Sequence, residues 1–395
     1  TGNLTVNNLT TVSAGTLKIS ETADNTTSNV LYAHKGIANT GGTVSFGSNA
    51  QLMQDDDAVN TGNIKSSRKA KLPKMGYTYW SSPVTSQNLY AFSNGGQTGG
   101  TPKSRFFVYD EATDTFKNTG AFLLNDSSVF ETGKGYAIRG MDNFTTTMPT
   151  TSYEFIFAGV PHNAGLSFSP LKWTSAPKGY NLIGNPYPSN INFDDLYASN
   201  STKIYATAYF WTNNDMTVTQ QQGSGYSGNN YAIYNLTGGT PAVHIDGAPD
   251  QPSLASITPN NIIKVGQGFI IKTKQAGGGQ SLGFSNSVRL TDNGTFFNNK
   301  NNTEKDRFWL RLVSPSNISN VILIGYIPGA TNGYEIDFDG ELFIIGSDSF
   351  YSLLDSKKLA IQGKASFDID DKVGLGNVYS QNGNYKIPVV CKSYI

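Results

Sequence analysis

Apolar residues along this chain recur mostly at every second position, in short runs bounded by Gly, Asn, Ser and Pro, which is the pattern of half-buried β-strands. Long runs at helical spacing are missing. Up to about residue 70 the strands are very short, as in Leu4-Thr5-Val6, Gly15-Thr16-Leu17-Lys18-Ile19 and Gly42-Thr43-Val44-Ser45-Phe46. Strands of that length need stacked neighbours to cover their apolar faces. Residues 1–70 are therefore expected as the end of a β-solenoid or as a strand layer capping the next domain. The basic run Arg68-Lys69-Ala70-Lys71-Leu72-Pro73-Lys74 reads as a solvated linker.

A duplication follows over 75–295, with copies at about 75–168 and 170–295. Tyr77-Thr78-Tyr79-Trp80-Ser81-Ser82-Pro83-Val84 matches Tyr180-Asn181-Leu182-Ile183-Gly184-Asn185-Pro186-Tyr187, and proline ends each strand because it fixes φ and lacks a ladder donor. A Leu-Tyr-Ala comes next in both, at Leu89-Tyr90-Ala91 and Leu196-Tyr197-Ala198. An aromatic strand then lies 24 residues past the proline, from Pro83 to Phe107 and from Pro186 to Phe210. Each copy closes on Gly-x-Gly-aromatic, Gly133-Lys134-Gly135-Tyr136 and Gly266-Gln267-Gly268-Phe269. The second copy carries an insertion of about thirty residues, Gly-, Asn- and Gln-rich around Tyr226 and Tyr231, which is too polar to add core and is expected as a loop and binding surface. Two similar strand sets imply sandwich-like units about a shared core.

The Asn-rich stretch 298–302 reads as a second linker, and 303–395 as a small β domain. Arg307-Phe308-Trp309-Leu310-Arg311-Leu312 alternates, so Phe308 or Trp309 should point inward; Asp339-Gly340 and Asn382-Gly383 are hairpin signals. Enough strands are present for an immunoglobulin-like sandwich. The fold class is thus all-β throughout.

Composition narrows the partners. Lys+Arg and Asp+Glu are both 29, which gives no electrostatic drive toward nucleic acid. A single cysteine, Cys391, rules out an internal disulfide. No signal-peptide pattern opens the sequence and no apolar run approaches the roughly 20 residues that span a bilayer. The chain is expected to be a soluble piece of a longer protein.

Several of these stretches together carry a family likeness. Tyr79-Trp80-Ser81-Ser82-Pro83-Val84, Gly133-Lys134-Gly135-Tyr136, Asn181 to Ser189, Arg307-Phe308-Trp309-Leu310, Tyr326 to Tyr334, Tyr351-Ser352-Leu353 and Leu359 to Lys364 resemble the C-terminal region of type IX secretion cargo of gliding bacteria, in the type C sorting-domain group. The resemblance implies export through the periplasm, then secretion or attachment at the cell surface, often within an adhesin. The partners it implies are the outer-membrane translocon and its cargo-shuttle protein. Such cargo usually ends in a further sorting domain, whereas the stretch up to Ile395 looks like an incomplete edge strand, with Tyr385 and Ile387 as its candidate partner surface.

Candidate chemistry is sparse. Gly279-Gln280-Ser281-Leu282-Gly283 fits a Gly-x-Ser-x-Gly pattern, but glycines precede it and a strand follows, where a nucleophile elbow needs strand, turn and helix. His34, His162 and His244 are far apart and read as surface or loop residues. Asp337, Asp339 and Glu341 place oxygens at alternate positions around a glycine turn and resemble part of a calcium loop, though the full twelve-residue pattern is missing. No other cofactor is indicated, and no catalytic residues are assigned. The leading expectation is a non-enzymatic secreted or surface segment. Its rivals are a carbohydrate-binding or adhesin module reading surface glycans through Tyr226 and Tyr231, and an accessory region of a secreted polysaccharide hydrolase.

Overall fold

The computed structural model describes residues 3–22, 28–147, 149, 151–213, 230–245, 257–291, 306–387 and 389–390. It divides into two compact units, Thr1–Ile204 with Ile262–Phe296, and Tyr205–Asn261 with Phe297–Ile395. Both are all-β, and among the described residues the helices are short, the longest being eight residues.

The first unit opens with eight strands: β1 (Leu4–Val6), β2 (Thr10–Val12), β3 (Thr16–Ile19), β4 (Val30–Ala33), β5 (Ile37–Asn39), β6 (Thr43–Phe46), β7 (Gln51–Met53) and β8 (Ile64–Ala70). They pair in parallel as β1-β4-β7, β2-β5 and β3-β6-β8, and Ala38 of β5 bridges in parallel to Thr61. Leu4 lies opposite Leu31, Thr10 opposite Ile37 and Thr16 opposite Thr43, a constant offset of 27 residues on three sides. Stacked three-strand rungs of this kind are a β-solenoid, the first of the two forms expected. Leu31, Ile37, Val44, Phe46, Leu52 and Ile64 fill its interior. Arg68 to Ala70 are not a linker: they finish β8, whose far edge pairs with a strand of the next segment. Their charges are satisfied laterally, Arg68 donating to Asn49 at 2.6 Å and Lys69 to Glu21 at 2.5 Å, so the strand continues despite its polarity.

The first copy comprises β9 (Tyr77–Trp80), α1 (Leu89–Phe92), β10 (Phe106–Asp110), β11 (Thr115–Lys117), β12 (Tyr136–Arg139) and β13 (Tyr153–Gly159). Then come β14 (Leu166–Phe168), β15 (Tyr180–Gly184), β16 (Asn190–Asn192), α2 (Phe193–Asn200), β17 (Ile204–Trp211), β18 (Tyr231–Asn235), β19 (Gly238–Thr240), β20 (His244–Ile245), β21 (Ile262–Ile263), β22 (Gly268–Thr273), β23 (Leu282–Phe284) and β24 (Arg289–Leu290). β9 runs antiparallel to β12 with Trp80 opposite Tyr136, and β15 antiparallel to β22 with Ile183 opposite Phe269. The hairpin of β10 and β11 has its counterpart in β17 and β18. Asparagine caps each helix, Asn88 accepting from the Ala91 N–H and Asn192 from the Asp194 N–H, both at 2.9 Å. Pro83 follows β9 and Pro186 follows β15, while Phe107 and Phe210 lie on β10 and β17, the first strands of the two hairpins. β13 pairs with β8 and brings Phe155 and Phe157 into a core with Trp80, Phe92 and Phe130. The insertion is only partly a loop. Residues 214–229 and 246–256 lie outside the described residues, but β18 is buried at all five positions because its residues are apolar or hydrogen-bonded.

The second unit adds β25 (Asp306–Val313), β26 (Ile318–Tyr326), β27 (Gly340–Glu341), β28 (Phe350–Leu354), β29 (Lys357–Lys364), β30 (Gly374–Asn377) and β31 (Val389–Val390). Where two facing sheets of an immunoglobulin-like sandwich were expected, these strands join one ladder, β30-β28-β29-β26-β25-β31, with β27 on β29 and β20 on β26. The β26–β29 pair is parallel, and Leu312, Ile322, Ile324 and Phe350 form the core. The Asp339-Gly340 hairpin is also absent. Residues 336–338 form a turn instead, because the Asp339 carboxylate accepts the N–H of Glu335 at 2.7 Å and that of Gly363 at 2.9 Å. Phe308 and Trp309 are both half-buried rather than one in and one out; Phe308 packs on the core, and Trp309 donates its Nε1–H to Gly239 at 3.1 Å.

Candidate functional site

The most organised group of polar residues in the first unit is the seam where the two copies meet. The Ser81 N–H donates to the Gly266 carbonyl at 3.0 Å, and the equivalent Gly184 N–H donates to the Gly133 carbonyl at 2.9 Å. Trp80 bridges to Gln267, and the equivalent Ile183 bridges to Lys134. These reciprocal contacts define a local pseudo-two-fold. They also explain the Gly-x-Gly motif. Gly133 and Gly266 adopt φ of +68° and +76°, which favours glycine. Gly135 and Gly268 approach the other copy: an added Cβ would lie 2.7 Å from the Ile183 oxygen and 3.0 Å from the Tyr79 Cβ, respectively.

Asn185-Pro186-Tyr187-Pro188-Ser189 is assigned almost atom by atom. Asn185 Oδ1 accepts from the Tyr187 N–H at 2.9 Å, while its Nδ2 donates to the Ser189 carbonyl at 2.7 Å. Ser82 makes the matching turn in the first copy, accepting from the Val84 N–H at 3.2 Å. The Tyr187 hydroxyl donates to the Ala164 carbonyl at 2.6 Å, and the Arg289 guanidinium covers its ring at 4.9 Å. Arg289 also donates to Ser189 at 2.8 Å and to Asn163 and Asn286 at 2.9 and 3.0 Å. Burial lowers the Arg289 pKa to about 10.

His162 sits in this seam, only 6% exposed. Its backbone N–H donates to Pro83 at 3.0 Å, and its Nδ1 lies 2.9 Å from the Pro186 carbonyl, so Nδ1 carries a proton. Burial holds its pKa below the ordinary range, outweighing the carbonyls of Pro186 and Ser82, which favour the charged ring. His244 is buried too, with Nδ1 at 2.9 Å from the Ala242 carbonyl. Neither lies on the surface: His162 does sit in a loop, between β13 and β14, but is buried there, and His244 begins β20. His34 is half-buried and pairs with Asp55 at 2.8 Å. Glu111 had no sequence signal: its carboxylate accepts from the N–H groups of Thr174 and Gly179 at 2.8 and 2.7 Å, tying the first copy to the entry of the second.

The other predicted positions lie in the second unit. Asp339 is buried on the two backbone donors named above, and burial pushes its pKa up to about 6. Glu341 accepts from the Tyr334 hydroxyl at 2.7 Å and from Lys357 at 2.5 Å, with Lys357 Nζ 4.1 Å above the Tyr334 ring. Asp337 is half-buried on the preceding turn. These carboxylates serve different partners, and no group of three or more His, Cys, Asp or Glu placed to hold a metal ion occurs among the described residues. Tyr226 lies outside the described residues. Tyr231 is 5% exposed, packed edge-on against Trp211 and Phe343, so its ring faces the interior and not a ligand. Tyr385 packs half-buried on the core, Lys386 bridges to Val313, and Ile387 is 49% exposed beside that edge. Ser281 lies between a 3-10 turn (Gln275–Gly277) and β23, which is not the strand–turn–helix of a nucleophile elbow.

One family model, described as Domain of unknown function (DUF8693), matches residues 1–391. No curated protein and no solved structure matches the chain.

Proposed function

We propose for this chain, which belongs to the family described as Domain of unknown function (DUF8693), a non-enzymatic role as a segment of a secreted or cell-surface protein carried as type IX secretion cargo. The observation that carries the non-enzymatic part is the use made of the chemistry-bearing side chains. His162, Arg289, Glu111, Asp339 and Glu341 each have protein partners that hold strands or turns together. Groups committed in this way are positioned for stability, not for exchange with a substrate.

The export part rests on the sequence resemblance. A terminal strand supports it: Lys386 and β31 run along β25 at the sheet edge, a place where another chain can add. In this reading the stretch from about 303 onward is presented to the outer-membrane translocon and its cargo-shuttle protein, and what precedes it is carried. Glycan binding through the insertion has less support, since Tyr231 faces inward.

A reporter fused to the complete native C-terminal region should reach the medium or cell surface only in cells with a working type IX system. Deleting the region from 303 onward should retain it in the periplasm. Equal export with and without that region would remove the sorting role.

A further inference from the structure

The first rung of the solenoid is built like an interior rung but covered like an end. Leu4 lies in register with Leu31 in a parallel pair, so both project to the same side; Leu31 is fully buried, yet Leu4 is 46% exposed. Leu17 stands in the same relation to Val44, half-exposed against 1%. Val6, Val12 and Leu17 pack on the core and remain only partly covered. These side chains face inward and are open along the stacking direction. A solenoid terminus built as an end carries a polar outer face or a covering element.

The backbone agrees with the side chains. Val6, Val12, Gly15 and Ile19 give their carbonyls to His34, Thr40, Thr43 and Gly47 of the next rung at 2.8–3.1 Å. On the opposite edge, β1, β2 and β3 are each the last strand of their sheet among the described residues. Among the described residues, three open parallel edges on one end, with a partly covered row of Leu and Val between them, match the surface that each rung already offers its neighbour.

From this we infer that the first rung is an acceptor for a further parallel rung, supplied by the same polypeptide ahead of Thr1. The occupant follows from continuity: the same three-sided parallel pairing joins the first rung to the second at an offset of 27 residues and the second to the third at 21, 23 and 20. An unrelated strand could satisfy one edge but not three.

The test inserts a second copy of residues 4–30 immediately before Leu4, which preserves the spacing; the control inserts the same residues in scrambled order. Amide exchange at Thr5, Thr11 and Lys18, whose N–H groups point away from the second rung, should slow by about tenfold or more with the ordered copy and not with the control. Equal exchange in the two would overturn the proposal. Sedimentation of the unmodified chain supplies a second arm. A concentration-dependent dimer that protects the same amides would also overturn it, by showing that a second copy fills the edge, whereas a monomer with fast exchange there supports it.

Discussion

Ser81 and Gly184 occupy equivalent positions in the two copies and face each other across the seam: a Cβ on Gly184 would fall 2.2 Å from the Ser81 Cβ. Real carbon atoms do not approach so closely, so only one of the two can carry a side chain. The pseudo-two-fold passes between them, and the difference between Ser-Ser-Pro and Gly-Asn-Pro follows from it.

Gly184→Ser alone should therefore destabilise the protein by about 1–3 kcal/mol, the usual cost of overpacking. Exchanging the pair, with Ser81→Gly and Gly184→Ser together, should recover most of that loss. Denaturant midpoints at constant m-value would show it. A double variant no more stable than Gly184→Ser would mean that the seam is not symmetric in energy.

The glycines of the closing motif differ in the reason they are needed, and alanine substitution should separate them. Gly133→Ala meets backbone strain at φ +68°, worth about 1–2 kcal/mol. Gly135→Ala instead meets the Ile183 oxygen and the Leu182 Cγ, both at 2.7 Å, whereas Gly268→Ala meets the Tyr79 carbonyl carbon and Cβ, both at 3.0 Å. Both meet strand backbone, but the overlap at Gly135 is closer, so Gly135→Ala should lower the melting temperature more than Gly268→Ala.

The parts legible in the sequence are those that local rules write. The Gly-x-Gly, the proline stops and the matched spacing from Pro83 to Phe107 and Pro186 to Phe210 all mark strand ends, and the structure places Phe107 and Phe210 on β10 and β17, the first strands of the two hairpins. What escaped depends on partners distant in sequence. The burial of His162 was not legible because the Pro186 carbonyl that holds it lies 24 residues away. Asp339-Gly340 looked like a hairpin because nothing local reveals that Gly363 would claim the carboxylate. Arg68 and Lys69 looked like a linker because charge outweighs pattern until Asn49 and Glu21 are known to receive them.

His162 sets one pH dependence. Burial depresses its folded pKa below the ordinary 6.5, so the neutral ring contributes stability that is present above pH 6.5 and lost as pH falls through the folded value. His162→Gln lacks this titration. The stability of the native chain relative to the variant should therefore decline below about pH 6.5. Unfolding curves at a series of pH values would check it, and a difference independent of pH would show that the ring does not titrate between the states.

Asp339 should act with the opposite sign. Its folded pKa is raised from 3.8 to about 6, chiefly by burial, against the help of the Glu335 and Gly363 amides. A raised carboxylate pKa means that the folded state holds the proton more tightly, so the contribution is fully present below about pH 4 and lost as pH rises through 6. Between pH 7.5 and pH 5 the native chain should gain about 1 kcal/mol relative to Asp339→Asn, at 1.36 kcal/mol per pKa unit. The variant itself is expected to be less stable at both values, because its amide can accept only one of the two N–H groups that the carboxylate receives. The pH-dependent part is thus read from the difference between the two proteins, in which the remaining carboxylates cancel. If that difference were flat across the range, Asp339 would be charged at both ends and the amides would outweigh its burial; if it shrank steadily toward pH 5, the sign assigned to the residue would be reversed.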